Sequence, residues 1–353
     1  MSRFAVVGAG WRAAYFWRAA EQLSDIECVG AVVRSPRPLP VPAFESLEEC
    51  LSVTRPDFVI TAVPWSASPR LIRELVERGM AVLAETPPAP DRDGLFALWA
   101  DVGASGLVQV AEQYLLMPSH AARLALARTG AIGRVTSVQV SSTHQYHAVS
   151  LMRGFLGAGL TPVTARATSF TADLLDPLAK NGWTDATDPT PATTVLATLD
   201  FGDGRSGLYD FTDNQWHNQL RFRRILVRGS LGELRDDEVV RLPEPRTFLR
   251  SALVRRQTGY DLDLDGFETE HITLGDHVLY RNPYPGRRWS DEEIAIATLL
   301  EATARWAAGD GPAPYPLAEA SHDHLIALAV AESAEQDGRV TTPTPPWASA
   351  REQ

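Results

Sequence analysis

The sequence predicts an α/β protein: an N-terminal Rossmann-type, doubly wound parallel sheet, then an α/β domain built on an open, largely antiparallel sheet. Three observations carry this. A short apolar run, Phe4–Val7, enters a glycine-rich turn and then an Ala-rich helical stretch. Apolar runs and helical periodicity then alternate through short connections as far as Ala111. From Val135 onward, period-two segments follow one another through hairpin turns.

The first strand leads into Gly8-Ala9-Gly10-Trp11-Arg12-Ala13 and a helix expected over 11–23. Strand, glycine turn and helix is the setting in which G-x-G-x-x-G/A marks a dinucleotide site. Gly8 permits the tight turn, Gly10 lets the backbone approach a pyrophosphate, and Ala13 takes the helix-packing position. The helix N-terminus adds N–H donors and a positive dipole end. Trp11 and Arg12 belong to the same loop.

The second strand, Ile26–Val33, ends in Arg34-Ser35-Pro36-Arg37. An Asp or Glu there would hold the ribose hydroxyls of NAD, whereas Arg suits a 2′-phosphate. Arg34 with Ser35 therefore favours NADP over NAD; two solvated arginines beside a bound NAD is the competing reading. Pro36–Pro42 reads as a stiff, extended surface segment. Cys28 in the strand and Cys50 on a helix over 47–53 read as packing residues, and two cysteines make no disulfide framework.

A buried strand over 58–63 ends at Pro64-Trp65, and a helix over 68–78 stops at Gly79. The strand Met80–Ala84 should lie parallel beside it and ends at Glu85-Thr86-Pro87-Pro88. A helix over 92–103 precedes the strand Leu107–Ala111. In such a sheet ligands lie outside the carboxyl ends of the strands. Gly8–Ala13, Pro64-Trp65, Glu85–Pro88 and Glu112-Gln113-Tyr114 converge there.

In the second half, segments over 135–143, 161–172, 193–204, 205–216 and 221–237 read as strands, with Asp203-Gly204 and Gly229–Gly232 as turns. Helices over 151–155 and 291–308 would cover one face; the other face calls for a second subunit, hence a homodimer or homotetramer. The closing segment Leu317–Arg339 should be helical. Asp210, Asp213, Asn214, Gln215, Trp216 and His217 read as a polar, aromatic strand; it serves either a sugar or a subunit interface. His322, Asp323 and His324 resemble a metal set, but residues two apart on a helix face different ways. They read as a solvated helix end, and no metal site is assigned.

The 353 residues suit about two domains. The divisions expected are 1–117 for the nucleotide domain, 118–340 for substrate binding and oligomerisation, and a tail over 341–353. Basic residues number 33 against 44 acidic, a net charge of −11 that disfavours nucleic acid. The chain shows no membrane-length apolar run and no secretory cleavage pattern, so a cytoplasmic location is expected.

The ordered segments GAGWRA, VITAVPWSAS, AVLAETPPA, VAEQYLLMP, TGAIGRVTSVQV, HAVSLMRGFLG and AVAESAEQDGRVTTP span nearly the whole chain. Together they resemble the glucose–fructose oxidoreductase / inositol dehydrogenase / rhizopine catabolism family of nicotinamide-dependent oxidoreductases. That resemblance implies action on a secondary alcohol or ketone of a sugar, inositol or related polyol. It also implies cofactor contacts from Gly8, Gly10, Trp11, Arg12, Arg34, Ser35, Pro64, Trp65, Glu85 and Gln113.

The chain departs from the family where chemistry is done. The family's catalytic Lys falls on Thr86, and its D-x-x-x-H-x-x-D places Thr143, His147 and Ser150 at the Asp, His and Asp positions. His147 is the expected proton-exchanging group, with Tyr146 and Thr86 polarising the same oxygen. His144, Tyr114, Trp216 and His217 are the further substrate candidates. A packed structural histidine competes with this reading of His147. The missing Lys also leaves open two other functions: a redox-assisted glycoside-cleaving enzyme with tightly held cofactor, and a non-catalytic scaffold.

Overall fold

The computed structural model describes residues 1–35, 37–179, 182–259 and 266–348; Pro36, the first residue of the proline-rich segment, lies outside them. The N-terminal part runs β1 (Ser2–Val7), α1 (Trp11–Ala20), β2 (Ile26–Val32), β3 (Ala43–Phe44), α2 (Leu47–Thr54), β4 (Phe58–Thr61), α3 (Ser68–Glu77), β5 (Ala81–Ala84), α4 (Arg92–Val102) and β6 (Val108–Val110). Its six strands are ordered β3-β2-β1-β4-β5-β6, all parallel. The order reverses between β1 and β4, and ligands of such sheets bind at that switch point. β4 and β5 are neighbours in register Val59–Val82, as the sequence predicts.

Strands buried on both faces read as near-continuous apolar runs, and β4 and β5 are wholly buried, with Thr61 their one polar residue. Side chains cap α2 and α4: Ser46 accepts from the Glu49 N–H, and Asp91 from the Gly94 N–H at 2.8 Å. α1 differs. It begins at Gly10 with no side-chain cap and no acidic residue in its first turn.

The second part runs α5 (Pro118–Arg128), β7 (Val135–Ser141), α6 (Gln145–Leu156), β8 (Thr164–Leu174), β9 (Leu178–Ala179), β10 (Gly182–Trp183), β11 (Thr190–Asp200), β12 (Ser206–Thr212) and β13 (Arg224–Gly229). It continues with β14 (Gly232–Arg235), β15 (Glu238–Glu244), β16 (Thr247–Gln257), β17 (Thr269–Leu274), β18 (His277–Arg281), α7 (Asp291–Ala307), α8 (Leu317–Gln336) and β19 (Arg339–Thr341). Eleven strands form one sheet, β18-β17-β16-β15-β14-β13-β7-β12-β11-β8-β19. Every pairing in it is antiparallel except β7 with β12. One face buries Val138, Val140, Ala165, Ala197, Ile225 and Val227 under α6 and α8.

Several expectations are corrected. α7 covers the first domain, not the second sheet: Ile294, Ile296, Leu299 and Leu300 share a core with Phe16 and Trp17 of α1. α1 ends at Ala20 rather than at residue 23, and α6 starts at Gln145 rather than at 151. β12 ends at Thr212, so Asp213–His217 form a turn beyond the strand; Asn214 sits there at φ 58°. α8 stops at Gln336, and Arg339–Thr341 reverse to pair with β8. His322, Asp323 and His324 are buried within α8, not solvated at its end. Among the described residues no helix is long and apolar enough to cross a membrane.

The segment after β19 returns to the first domain. Trp347 is fully buried, edge-on to Phe96 at 5.5 Å and to Trp99 at 5.9 Å. Truncating a buried Trp removes its transfer energy and leaves a cavity. Trp347→Ala should therefore lower unfolding free energy by about 3–5 kcal/mol, read as a lower urea midpoint with the slope unchanged.

Candidate functional site

The site forms where the carboxyl ends of β1, β4, β5 and β6 meet the start of α6. Gly8 has φ 113°, and a Cβ there would lie 2.1 Å from the Ala62 carbonyl oxygen, so only glycine fits. A Cβ on Gly10 would meet nothing within 4 Å. The uncapped N–H groups of α1 thus open onto free space and suit a dinucleotide pyrophosphate, which a capping carboxylate would repel. Trp11 is exposed beside this loop. Arg34 and Ser35 are exposed immediately after the second strand, while Arg37 folds back and donates to the Ala9 carbonyl.

Arg12 points the other way. Its guanidinium donates to Glu85 at 3.0 Å and Glu292 at 2.9 Å, and meets the Gln113 side-chain oxygen at 3.4 Å. Burial alone would lower this guanidinium, but Glu85 and Glu292 outweigh that and hold it above its ordinary value. The positive charge is consumed by structure. Glu85, Gln113 and the glycine loop are nonetheless brought together as the sequence predicts.

Thr86 follows Glu85 on a turn whose Thr86–Pro87 peptide is cis. The Tyr146 phenol, buried, is pushed up by that burial, opposed by the Thr86 hydroxyl beside it. Trp65, half exposed, meets Tyr146 edge-on at 6.3 Å, and the Pro64 carbonyl accepts from the Ala67 N–H.

At the centre lies His147. Its Nδ1 is 2.5 Å from Glu112 Oε2, and both residues are buried. Glu112 Oε1 accepts from the Tyr114 N–H at 3.0 Å, and the Tyr114 ring lies over the imidazole at 4.4 Å. Tyr146 flanks His147 at 4.5 Å. Sequence reasoning placed Glu112-Gln113-Tyr114 at this convergence but gave Glu112 no role of its own. The signal available was a Glu at a strand's carboxyl end in a parallel sheet, where ligands bind.

Thr143 and Ser150, at the two Asp positions, do not replace a carboxylate: Thr143 is buried and the Ser150 hydroxyl donates to the His147 carbonyl. His144 lies 5.2 Å from His147 and 4.8 Å from Trp216, ring to ring. Burial, then His147, pushes its imidazole down to about 3, so it is neutral. His217 meets Trp216 edge-on at 6.0 Å, on the turn beyond β12.

Residues 2–112 match the oxidoreductase family profile GFO_IDH_MocA, an NAD-binding Rossmann fold. The match covers the first domain, which is thus similar to this oxidoreductase family. No curated protein matches it. Solved structures match over almost its whole length. Levoglucosan dehydrogenase in complex with NADH and levoglucosan shares 16% identity, 97% of this chain, 99% of that one and a TM-score of 0.68. Myo-inositol dehydrogenase from Corynebacterium glutamicum shares 19% identity, 97% and 99% coverage and a TM-score of 0.65. An oxidoreductase from Agrobacterium radiobacter with NAD+, L-tartaric acid and magnesium shares 15% identity, 96% and 98% coverage and a TM-score of 0.67. The fold shared with these structures therefore extends through the second sheet. Among the described residues no group of three or more His, Cys, Asp or Glu could hold a metal.

Burial of imidazoles in and around this site sets an acid limit. His120 and His144 are pushed down to about 3, and His324 to about 4, from an ordinary 6.5. The unfolded chain binds more protons below 6.5, so their contribution is lost as pH falls through that window. Asp323, pushed up to about 6 by burial, has the opposite sign and loses its contribution as pH rises from 3.8 to 6. Three groups oppose one, each with a limiting slope of about 1.4 kcal/mol per pH unit. Urea titrations should show stability falling from pH 6.5 to 4, and His324→Asn should flatten that fall.

Proposed function

We propose that this chain is an NADP(H)-preferring oxidoreductase interconverting a secondary alcohol and a ketone on a sugar, inositol or related polyol, with His147 exchanging the hydroxyl proton. The observation that carries this is the Glu112–His147 contact beside the Thr86 turn. With Nδ1 held by a carboxylate, Nδ1 carries the proton and Nε2 is left as the base. Among the described residues no hydrogen bond engages Nε2.

Oxidation removes a hydride from the carbinol carbon and a proton from its oxygen, leaving a ketone. A bound nicotinamide supplies the hydride acceptor. His147 Nε2 takes the proton, and Glu112 stabilises the resulting imidazolium. The Thr86 and Tyr146 hydroxyls donate to the oxygen on which charge develops. No cation stands where the family keeps its lysine, so that charge meets only neutral donors. The absence of one such electrostatic partner costs on the order of 10²–10³ in rate. Turnover should accordingly be slow on ordinary sugars.

The NADP preference is supported by exposed Arg34 and Ser35 and by the absence of an acid at the end of the second strand. Assembly as a homodimer or homotetramer is supported by the open face of the second sheet, where Phe170 and Leu196 are exposed.

A panel of polyols and sugars tested with NADP+ and NAD+ identifies the substrate. On it, His147→Asn should lower kcat by about 10²-fold or more while cofactor affinity stays intact, and Glu112→Gln should shift the pH–rate profile. Full activity in His147→Asn would move the proton transfer to another group. Arg34→Ala should weaken NADP(H) about tenfold or more and NAD(H) little, since a charged hydrogen bond to the 2′-phosphate is lost. Equal losses for both cofactors would remove the basis for the preference.

A further inference from the structure

A cavity of about 180 Å³ lies between α6, α8 and the inner face of the second sheet. Its floor is apolar and buried: Val149, Met152, Phe211, Ala327 and Val330. Trp216 closes one side, stacked on Phe211 at 5.3 Å and 14°. An apolar cavity of roughly 150 Å³ accepts one benzene ring and stays dry without it. The space therefore matches a single six-membered ring. Its mouth carries exposed Gln145, Asp213 and Ala331. Asp213 disfavours an anion there, and the floor disfavours any charge.

The cavity adjoins the reacting centre through His144, which lines it and also contacts His147. His144 Nδ1 is buried and has no hydrogen-bond partner. A buried polar atom left without a partner is costly, and a ligand atom at the cavity's edge would satisfy it. We propose that this cavity receives an uncharged aromatic ring carried by the substrate, with the linking oxygen at His144 and the reacting carbinol at His147. The inference rests on the reading of His147 given above and deepens it: the substrate is a polyol bearing an aryl substituent, not a free sugar.

The test is binding without turnover. Phenyl β-D-glucopyranoside and methyl β-D-glucopyranoside are titrated calorimetrically into the NADP+-loaded protein and into loaded His147→Asn. Burying the ring should make the phenyl glycoside bind about tenfold tighter or more in both. Ala331→Phe at the mouth and Val149→Phe at the floor should each bring the ratio towards one, with a cofactor titration showing that each variant is folded. A phenyl glycoside that binds no tighter than the methyl glycoside, or a preference that survives in both blocked variants, overturns the proposal. A preference that persists in a protein oxidising no polyol would sustain the cavity and sink the catalytic reading, so the two failures are distinct.

Discussion

The constraint on which the site depends is the contact between Glu112 and His147, at 2.5 Å and away from solvent. A buried carboxylate is costly unless it is paired and its remaining lone pairs are satisfied. Glu112 meets both conditions, with the imidazole on one oxygen and the Tyr114 N–H on the other. The two partners come from different sheets: Glu112 follows β6 of the first, and His147 opens the helix that covers the second. Whatever positions one sheet against the other therefore also positions His147 against Glu112.

The second constraint is charge. Arg12 is the cation of the glycine loop, yet Glu85 and Glu292 absorb it, and Glu292 sits in the first turn of α7. This explains why α7 packs on α1. Its N-terminal carboxylate reaches the loop while its apolar stripe joins the core of α1. The pairing leaves Glu85 neutralised and the reacting region without a free positive group. Thr86, Tyr146 and His147 are the polar groups gathered beside Glu85, so the proposed chemistry leans on proton exchange at His147 more than on charge stabilisation.

The first domain was legible because its signals are local. Buried, largely apolar strands such as Phe58–Thr61, a glycine turn that no other residue can occupy, and capping residues Ser46 and Asp91 all act within a few positions. His147 was singled out through the family resemblance of its segment, and the structure sets it beside Glu112. What escaped the sequence was set by contacts between distant residues. Glu112 and His147 stand 35 positions apart, and nothing in either neighbourhood announces the other. Likewise α7 has an apolar face that suits either sheet, and only Glu292 meeting Arg12, 280 residues away, selects the first. The segment His322–His324 misled because periodicity cannot tell a buried polar residue with a partner from a solvated one.

Those buried polar residues explain how the dyad keeps its geometry. Tyr315 runs antiparallel to the edge of the first sheet: its N–H meets Gln109 Oε1 at 3.1 Å and its carbonyl accepts from the Val110 N–H at 2.9 Å. Its hydroxyl donates to Asp323 at 2.5 Å, and Asp323 accepts from Arg153 at 2.6 Å. Arg153 also pairs with Glu319 and lies on α6, the helix that carries His147. A continuous hydrogen-bonded strut thus joins β6, which leads to Glu112, to the helix bearing His147. Its buried charges do not make it strongly stabilising, since ion pairs of this kind roughly offset their own desolvation. What the strut supplies is position: an apolar substitute of equal volume could match its energy, but could not fix the register between the two halves of the dyad.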